Sequence, residues 1–397
     1  MDTTLLLNAL TPQARNEPDS GIIKAAMYGM AKPGIIPLWS GEGNVPTPPE
    51  FAQPAIDSLL AGETFYTWQR GIPELREALA RYHEKHFGRR FSHENFFVTS
   101  GGMQAIQTII QAIAGEGDEI IIPTPAWPNY AGPLRIQGSA PVEVPMDFRN
   151  GRWVLDLDRL ADAITPRTRA IVLNSPSNPV GWTATREELI AVRDTCRKNG
   201  IWILGDEVYS RFYYGAGGAS RAPSFLDVCD DEDMLLLANT FSKNWAMTGW
   251  RVGWLQAPKA LGAAIERIIQ YNSSGTPAFL QRGCAAALDG GEAFVASQVA
   301  KARSNRDMVA RLFDDMPRVR YELPQGAFYL FFSVDGMRDS TRTCLRIIDE
   351  ALVGFAPGAT FGPGGEGHLR MCFLRDPSRI TEALGRFRDW LKTAQPD

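Results

Sequence analysis

Short, continuous apolar runs alternate along the chain with stretches whose apolar residues recur at helical spacing. FFV (96–98), EIII (119–122), AIVL (170–173), IWIL (201–204), MLLLA (234–238) and VGWLQ (252–256) are brief and apolar, the pattern of strands buried on both faces. Between them MQAIQTIIQAIA (103–114) and TREELIAVRDTCRKNG (185–200) read as helices. So does GIPELREALARYHEKHF, where Pro73 suits a first turn and Leu75, Ala78, Leu79 and Tyr82 share one face. Strands interleaved with helices predict an α/β fold, a mostly parallel central sheet with helices on both faces.

Beyond about residue 285 the pattern changes. A long helical stretch (291–315) leads to the strand-like GAFYLFFSV (326–334) and GHLRMCFL (367–374). The last helix, PSRITEALGRFRDWLKTA, sets Ile380, Leu384, Phe387 and Leu391 on one side. We read a large domain at 46–285, a smaller α+β domain at 286–397, and residues 1–45 as an N-terminal arm and part of the smaller domain. AKPGIIPLWSGEGNVPTPPE (31–50), rich in Pro and Gly, reads as an irregular crossing segment.

Composition narrows the possible partners. With 397 residues, 44% of them hydrophobic, the chain can bury a core larger than one small domain. Its 41 basic and 45 acidic residues form no block of like charge, which argues against a nucleic-acid partner. Cys196, Cys229, Cys284, Cys344 and Cys372 show no CxxC spacing, so neither a disulfide framework nor a zinc site is expected, and a reducing compartment fits. His83 and His86 have no further ligands to complete a metal site. GPGGEG (362–367) matches a dinucleotide fingerprint but opens no helix. The start, MDTTLLLNALTPQARNEPDS, is no signal peptide, and no apolar run nears the ~18 residues that span a bilayer. A cytoplasmic protein without a membrane partner is expected.

Open α/β sheets bind ligands just past the carboxyl ends of their strands. Polar residues gather there: Ser100-Gly101-Gly102 after FFVT, Trp127 after EIIIPTPA, Asn178 after AIVLNSPS, Asp206 and Tyr209 after IWILG, and Thr240, Ser242 and Lys243 after MLLLAN. SGG runs into a helix, so it offers an anion cradle, although an ordinary glycine cap reads the same. Asp206 ends a buried strand, a costly place for a carboxylate without a positive partner. A protonated ring nitrogen would serve, and a structural cap is the other reading. Glu207 competes for that role but should point to the opposite face. Lys243 and Arg251 stand in TFSKNWAMTGWRVGW (240–254), which is too apolar for a solvated face. An amine nucleophile must fall from a pKa of ~10.4 to act at neutral pH, and an apolar setting beside a cation pushes that way. A snorkelling surface lysine is the alternative. Arg370 interrupts an apolar strand, as a fork for a carboxylate or as half of a structural salt bridge.

TFSKNWAMTGWRVG resembles the pyridoxal-phosphate lysine signature of class I/II aminotransferases. YTWQRGIPELREALA, TSGGMQA, PAWPNY, NSPSNPVG, GDEVY and GAFYLF are similar to further motifs of that family, in its order, over roughly residues 20 to 390. The resemblance implies the fold type I architecture, pyridoxal 5′-phosphate as cofactor, and a homodimer with active sites at the subunit interface. It implies that Lys243 forms the internal aldimine and moves the proton, that Asp206 pairs with the ring nitrogen, and that Tyr209 and Asn178 hydrogen-bond the ring hydroxyl. Trp127 is expected to stack on the ring. Gly101, Gly102, Met103, Thr240, Ser242 and Arg251 are expected to hold the phosphate, and Tyr66 to reach the phosphate of the other subunit. Arg370, helped by Asn178 and the backbone near Gly41, is expected to bind the substrate carboxylate. The family's GEPDF reads GEGNVP here, and its NPTG reads NPVG.

The implied reaction moves an amino group between an L-amino acid and a 2-oxo acid in ping-pong fashion. A β-lyase acting on cysteine-type substrates is the rival on the same scaffold. A noncatalytic cofactor-binding regulator would need a DNA-binding module, for which the length and charge leave no room. Phe65, Trp68 and Trp245 suggest an aromatic or large apolar substrate. An aspartate or glutamate specialist would need a second cation for the distal carboxylate, and the sequence does not place one.

Overall fold

The computed structural model describes residues 3–215, 218–394 and 397. Its centre is a seven-stranded sheet: β1 (Phe96–Thr99), β2 (Glu119–Thr124), β3 (Ala140–Pro145), β4 (Thr168–Asn174), β5 (Trp202–Asp206), β6 (Leu235–Thr240) and β7 (Gly253–Gln256). They lie in the order β1-β7-β6-β5-β4-β2-β3, and β7 alone runs antiparallel to its neighbours. Residues 241–252 join β6 to β7 without a full crossover helix, and an antiparallel return needs none. The predicted strands are all present. β3 was not expected, because Pro141 and Pro145 interrupt it; it forms the sheet edge, where a missing N–H is tolerated.

The apolar runs are buried on both faces, as their lack of alternation implied. Ile120 and Ile122 of β2 pack in one core, with Ile109, Leu204 and Leu255, while Ile121 between them packs in another, with Ile171 and Ile203.

The C-terminal part holds an antiparallel sheet of β8 (Val319–Tyr321), β9 (Tyr329–Val334), β10 (Ala356–Pro357) and β11 (His368–Cys372), ordered β8-β9-β11-β10. The long helix runs over Glu292–Asp314. The last, Pro377–Thr393, buries Ile380, Leu384, Phe387 and Leu391, as its spacing predicted. The N-terminal helix Gly21–Met30 packs against Ser340–Ala351, and Ile36–Pro37 pairs in parallel with Val353–Gly354. A Cβ on either Gly29 or Gly354 would collide with the Trp39 ring, so these two glycines fix where Trp39 stands at the mouth of the site. Among the described residues no helix is long and apolar enough to cross a membrane, and all five cysteines are buried and unpaired.

Candidate active site

Five strands of the large sheet, β1, β2, β4, β5 and β6, lead at their carboxyl ends to one cavity of about 530 Å³, which β11 and the segment around Gly41 close from the other side. At one end lies an anion cradle. The helix Gly102–Ile113 begins directly after β1, and no side chain caps its first N–H groups. Gly101 has φ +86°, and a Cβ there would approach Arg251 Nη2 to 2.5 Å. A Cβ on Gly253 would come 2.7 Å from the Gly101 and Gly102 backbone. Only glycine permits both approaches. Thr240 Oγ1 and Ser242 Oγ are 2.9 Å apart, and Arg251 Nη1 donates to Thr248 O at 3.0 Å. Free helix N–H groups, two hydroxyls and a guanidinium thus face one corner of the cavity, which Met103 also lines.

Asp206 ends β5 in the middle of the cavity. Its carboxylate accepts from Tyr130 Oη–H, and from Val208 N–H at 3.2 Å. Burial pushes its pKa up to about 6, against the hydrogen bonds from Tyr130 and Val208 and the more distant charge of Lys243. Glu207 points the other way, accepting from Ser224 Oγ–H and from Phe225 N–H at 3.0 Å, and burial raises it to about 7. The pleat separates the two carboxylates as expected. Trp127, past β2, stands edge-on to Tyr130 with ring centroids 5.7 Å apart.

Lys243 sits on the short turn Phe241–Asn244 after β6. Its Nζ donates to Gly41 O at 2.7 Å and lies 5.8 Å from the Tyr209 ring centre. Burial lowers its pKa to about 8, and the charges of Arg370 and Arg251 act in the same direction. Tyr209 Oη lies 2.7 Å from Tyr329 Oη, a bond between a loop after β5 and strand β9.

Arg370 on β11 is only 2% exposed and forms no ion pair with any described residue. Nη1 donates to Asn178 Oδ1 at 2.8 Å, Nη2 donates to Trp39 O, and the buried Nε has no partner among the described residues. The guanidinium lies 4.6 Å from the Tyr329 ring centre and 5.0 Å from that of Phe361. Asn178 is itself held, its N–H donating to Asn174 Oδ1 at 2.8 Å. The salt-bridge reading of Arg370 therefore fails, and a buried fork without its carboxylate remains.

Tyr66 does not reach this cavity in its own chain. It is 95% exposed on a loop that, with Phe65 and residues 273–279, borders a separate groove of about 390 Å³. The three aromatics expected near the substrate also lie elsewhere. Trp245 is buried among Phe241, Tyr82 and Trp254, Phe65 is exposed, and Trp68 bonds Glu266 through Nε1 at 2.6 Å. The apolar wall is formed instead by Ile22, Ile23 and Ala26 of the N-terminal helix together with Trp39. The sequence reading also missed Tyr130, Tyr329, Asn174 and Glu42, whose carboxylate accepts from Thr248 Oγ1 at 2.8 Å. All four stand inside motifs already singled out, PNY, GAFYLF, NSPSNP and GEGNVP, so motif position was the available signal.

The donor set suits pyridoxal phosphate: an anion cradle for the phosphate, a buried carboxylate without an ion-pair partner for a cationic ring nitrogen, and an amine of lowered pKa in the same cavity. The aminotransferase class I and II family model matches residues 33–387. The aspartate aminotransferase of Pyrococcus horikoshii is 32% identical over 90% of this chain and 91% of its own. An aromatic-amino-acid aminotransferase of Thermococcus litoralis is 33% identical over 90% of this chain and 92% of its own. The crystal structure of aspartate aminotransferase from Thermotoga maritima superposes with a TM-score of 0.89 at 30% identity, covering 97% of this chain and 100% of that one. These relatives give the β-elimination alternative no support. The chain belongs to the class I and II aminotransferase family and is a pyridoxal-phosphate-dependent aminotransferase, acting between an amino acid and a 2-oxo acid.

Proposed function

We propose that Lys243 is the covalent anchor and proton carrier of this aminotransferase, Asp206 its ring-nitrogen partner and Arg370 its substrate-carboxylate fork. The observation that carries the reading is Arg370: buried, without a carboxylate, and with Nε unsatisfied, it faces the cavity that Lys243 enters. Pyridoxal phosphate, when bound, supplies an electrophilic aldehyde and a ring that takes up the electron pair left as the substrate Cα loses its proton. Gly101, Gly102, Met103, Thr240, Ser242 and Arg251 hold the phosphate by their N–H, hydroxyl and guanidinium donors. Trp127 would cover the ring, and Tyr209 and Asn178 would donate toward its hydroxyl. Asp206 stays ionised opposite the ring cation. Lys243 Nζ, held by Gly41 O and deprotonated more easily than a free lysine, would take the proton from the substrate Cα and deliver it to the cofactor carbon that carried the aldehyde oxygen. Arg370 and Asn178 fix the substrate carboxylate, which aligns the Cα–H bond with the amine.

Arg370→Ala tests this assignment. The KM of amino donors should rise by about 10²–10³-fold with a smaller fall in kcat, the loss expected of a bidentate charged contact. An unchanged KM would move the carboxylate site elsewhere. The same reading divides the chain at about residues 45 and 285 into arm, cofactor domain and smaller domain. A reducing, cytoplasmic setting fits the five buried thiols.

The reading also makes the protein a homodimer. Phe65, Tyr66 and Tyr271 are 85%, 95% and 84% exposed, a density of bare aromatics that marks a covered face. Sedimentation should give twice the 43.8 kDa chain mass. Tyr66→Phe should weaken cofactor affinity about 5–10-fold through loss of one phosphate hydrogen bond. A monomeric, fully active holoenzyme would rule this out.

A further inference from the structure

The cavity carries three cations, Lys243, Arg251 and Arg370, and the roles above occupy all three. What remains for a substrate side chain is the wall of Ile22, Ile23, Ala26, Trp39 and Met103, without a basic residue among them. The basic residues near that wall, Lys24 and Arg135, do not line the cavity. Lys24, next on the same helix, pairs with Asp19 at 3.0 Å, and Arg135 is held by both oxygens of Glu17 at 2.8 Å. An adjoining cavity shares Met103, Trp127 and Asn129 with this one; it adds the carboxylates of Glu17, Asp19 and Glu143 against the single cation Arg135. The loops assigned to a second subunit's face bring no cation of their own. Neither residues 59–69 nor residues 268–281, which carry the exposed Phe65, Tyr66 and Tyr271, contain a lysine or arginine.

We propose that the amino donor of this enzyme is an L-amino acid with a large uncharged side chain, aromatic or branched apolar, and that aspartate and glutamate are poor donors. The inference rests on the residue roles given above, because only with Lys243, Arg251 and Arg370 committed is the wall without a free cation. A distal carboxylate would lose part of its water against Ile22, Trp39 and Met103 and gain no fork, and the neighbouring carboxylates would repel it. An aromatic or branched side chain loses only apolar exposure there and meets the Trp39 and Trp127 rings. The names of relatives that act on aspartate therefore do not transfer to this chain.

The test uses the holoenzyme in single-turnover half-reactions, following loss of the lysine-linked absorbance with phenylalanine, leucine, methionine, aspartate, glutamate and arginine. The best apolar donor should exceed both dicarboxylates by at least about 100-fold in second-order rate. Equilibrium binding of unreactive analogues should agree, with 3-phenylpropanoate binding more tightly than succinate. Aspartate or glutamate within tenfold of the best apolar donor overturns the proposal. So does arginine as the best donor, which would assign the Glu143 rim as a headgroup site. If no donor reacts, the residue roles fail and this inference with them, an outcome distinct from a reactive enzyme of the wrong preference. Ile23→Lys, at a position 63% exposed and therefore tolerant, should narrow the gap between phenylalanine and aspartate at least about tenfold. An unchanged ratio would place the side-chain pocket elsewhere.

Discussion

Lys243→Ala is expected to lower turnover by about 10⁵-fold, to abolish the lysine-linked absorbance, and to leave no peptide labelled at position 243 after borohydride reduction. Two losses combine. A positioned proton carrier is worth about 10²–10⁴-fold, and an activated covalent anchor adds to that. No other amine can substitute, because among the described residues Lys243 is the one lysine that enters the cavity. The variant should still fold. Its one hydrogen bond, to Gly41 O, costs about 1 kcal/mol when broken, and the lost ammonium was itself disfavoured by burial. Unchanged apoenzyme melting with lost turnover separates chemistry from structure. Turnover near wild type, or a borohydride label on another lysine, would sink the assignment.

The site was legible where strand ends carry polar residues. Asp206 and Lys243 follow continuous apolar runs, and the open-sheet rule places such residues on one rim. The pleat also separated Asp206 from Glu207 in advance. What stayed hidden was long-range. Nothing in PNY says that Tyr130 turns its hydroxyl onto Asp206, and nothing in GAFYLF says that Tyr329 meets Tyr209. Both contacts join segments far apart in sequence. Strand direction was equally unreadable, since VGWLQ looks the same parallel or antiparallel. The aromatic wall was misplaced for a related reason. Trp245 lies two residues from Lys243, yet the turn swings its ring into the core beside Trp254, while Ile22 and Ile23 enter the cavity from a helix more than two hundred residues away in sequence.

Asp206→Asn is expected to reduce kcat by about 10³-fold, or ~4 kcal/mol, by removing the charge opposite the ring nitrogen. Its effect on stability should have opposite signs in the two forms of the enzyme. In the protein alone the carboxyl is raised from 3.8 to about 6, so the folded state holds a proton that the unfolded chain releases. The stability that proton confers is complete below pH ~4 and lost as pH rises through about 6. Above that, a buried charge with no adjacent cation costs the apoenzyme about 2–3 kcal/mol. Asparagine removes the charge and can keep both contacts, its Oδ1 taking Val208 N–H and its amide donating to Tyr130 Oη. Calorimetry at pH 8 should therefore show apo Asp206→Asn melting above apo wild type, with the gap closing toward pH 4. With cofactor present the order should reverse, because the wild-type carboxylate then has its cation and the amide does not. An apo variant no more stable than wild type at pH 8, together with undiminished turnover, would show that Asp206 is a structural cap. The same burial that destabilises the empty site is then what makes it bind a cationic ring.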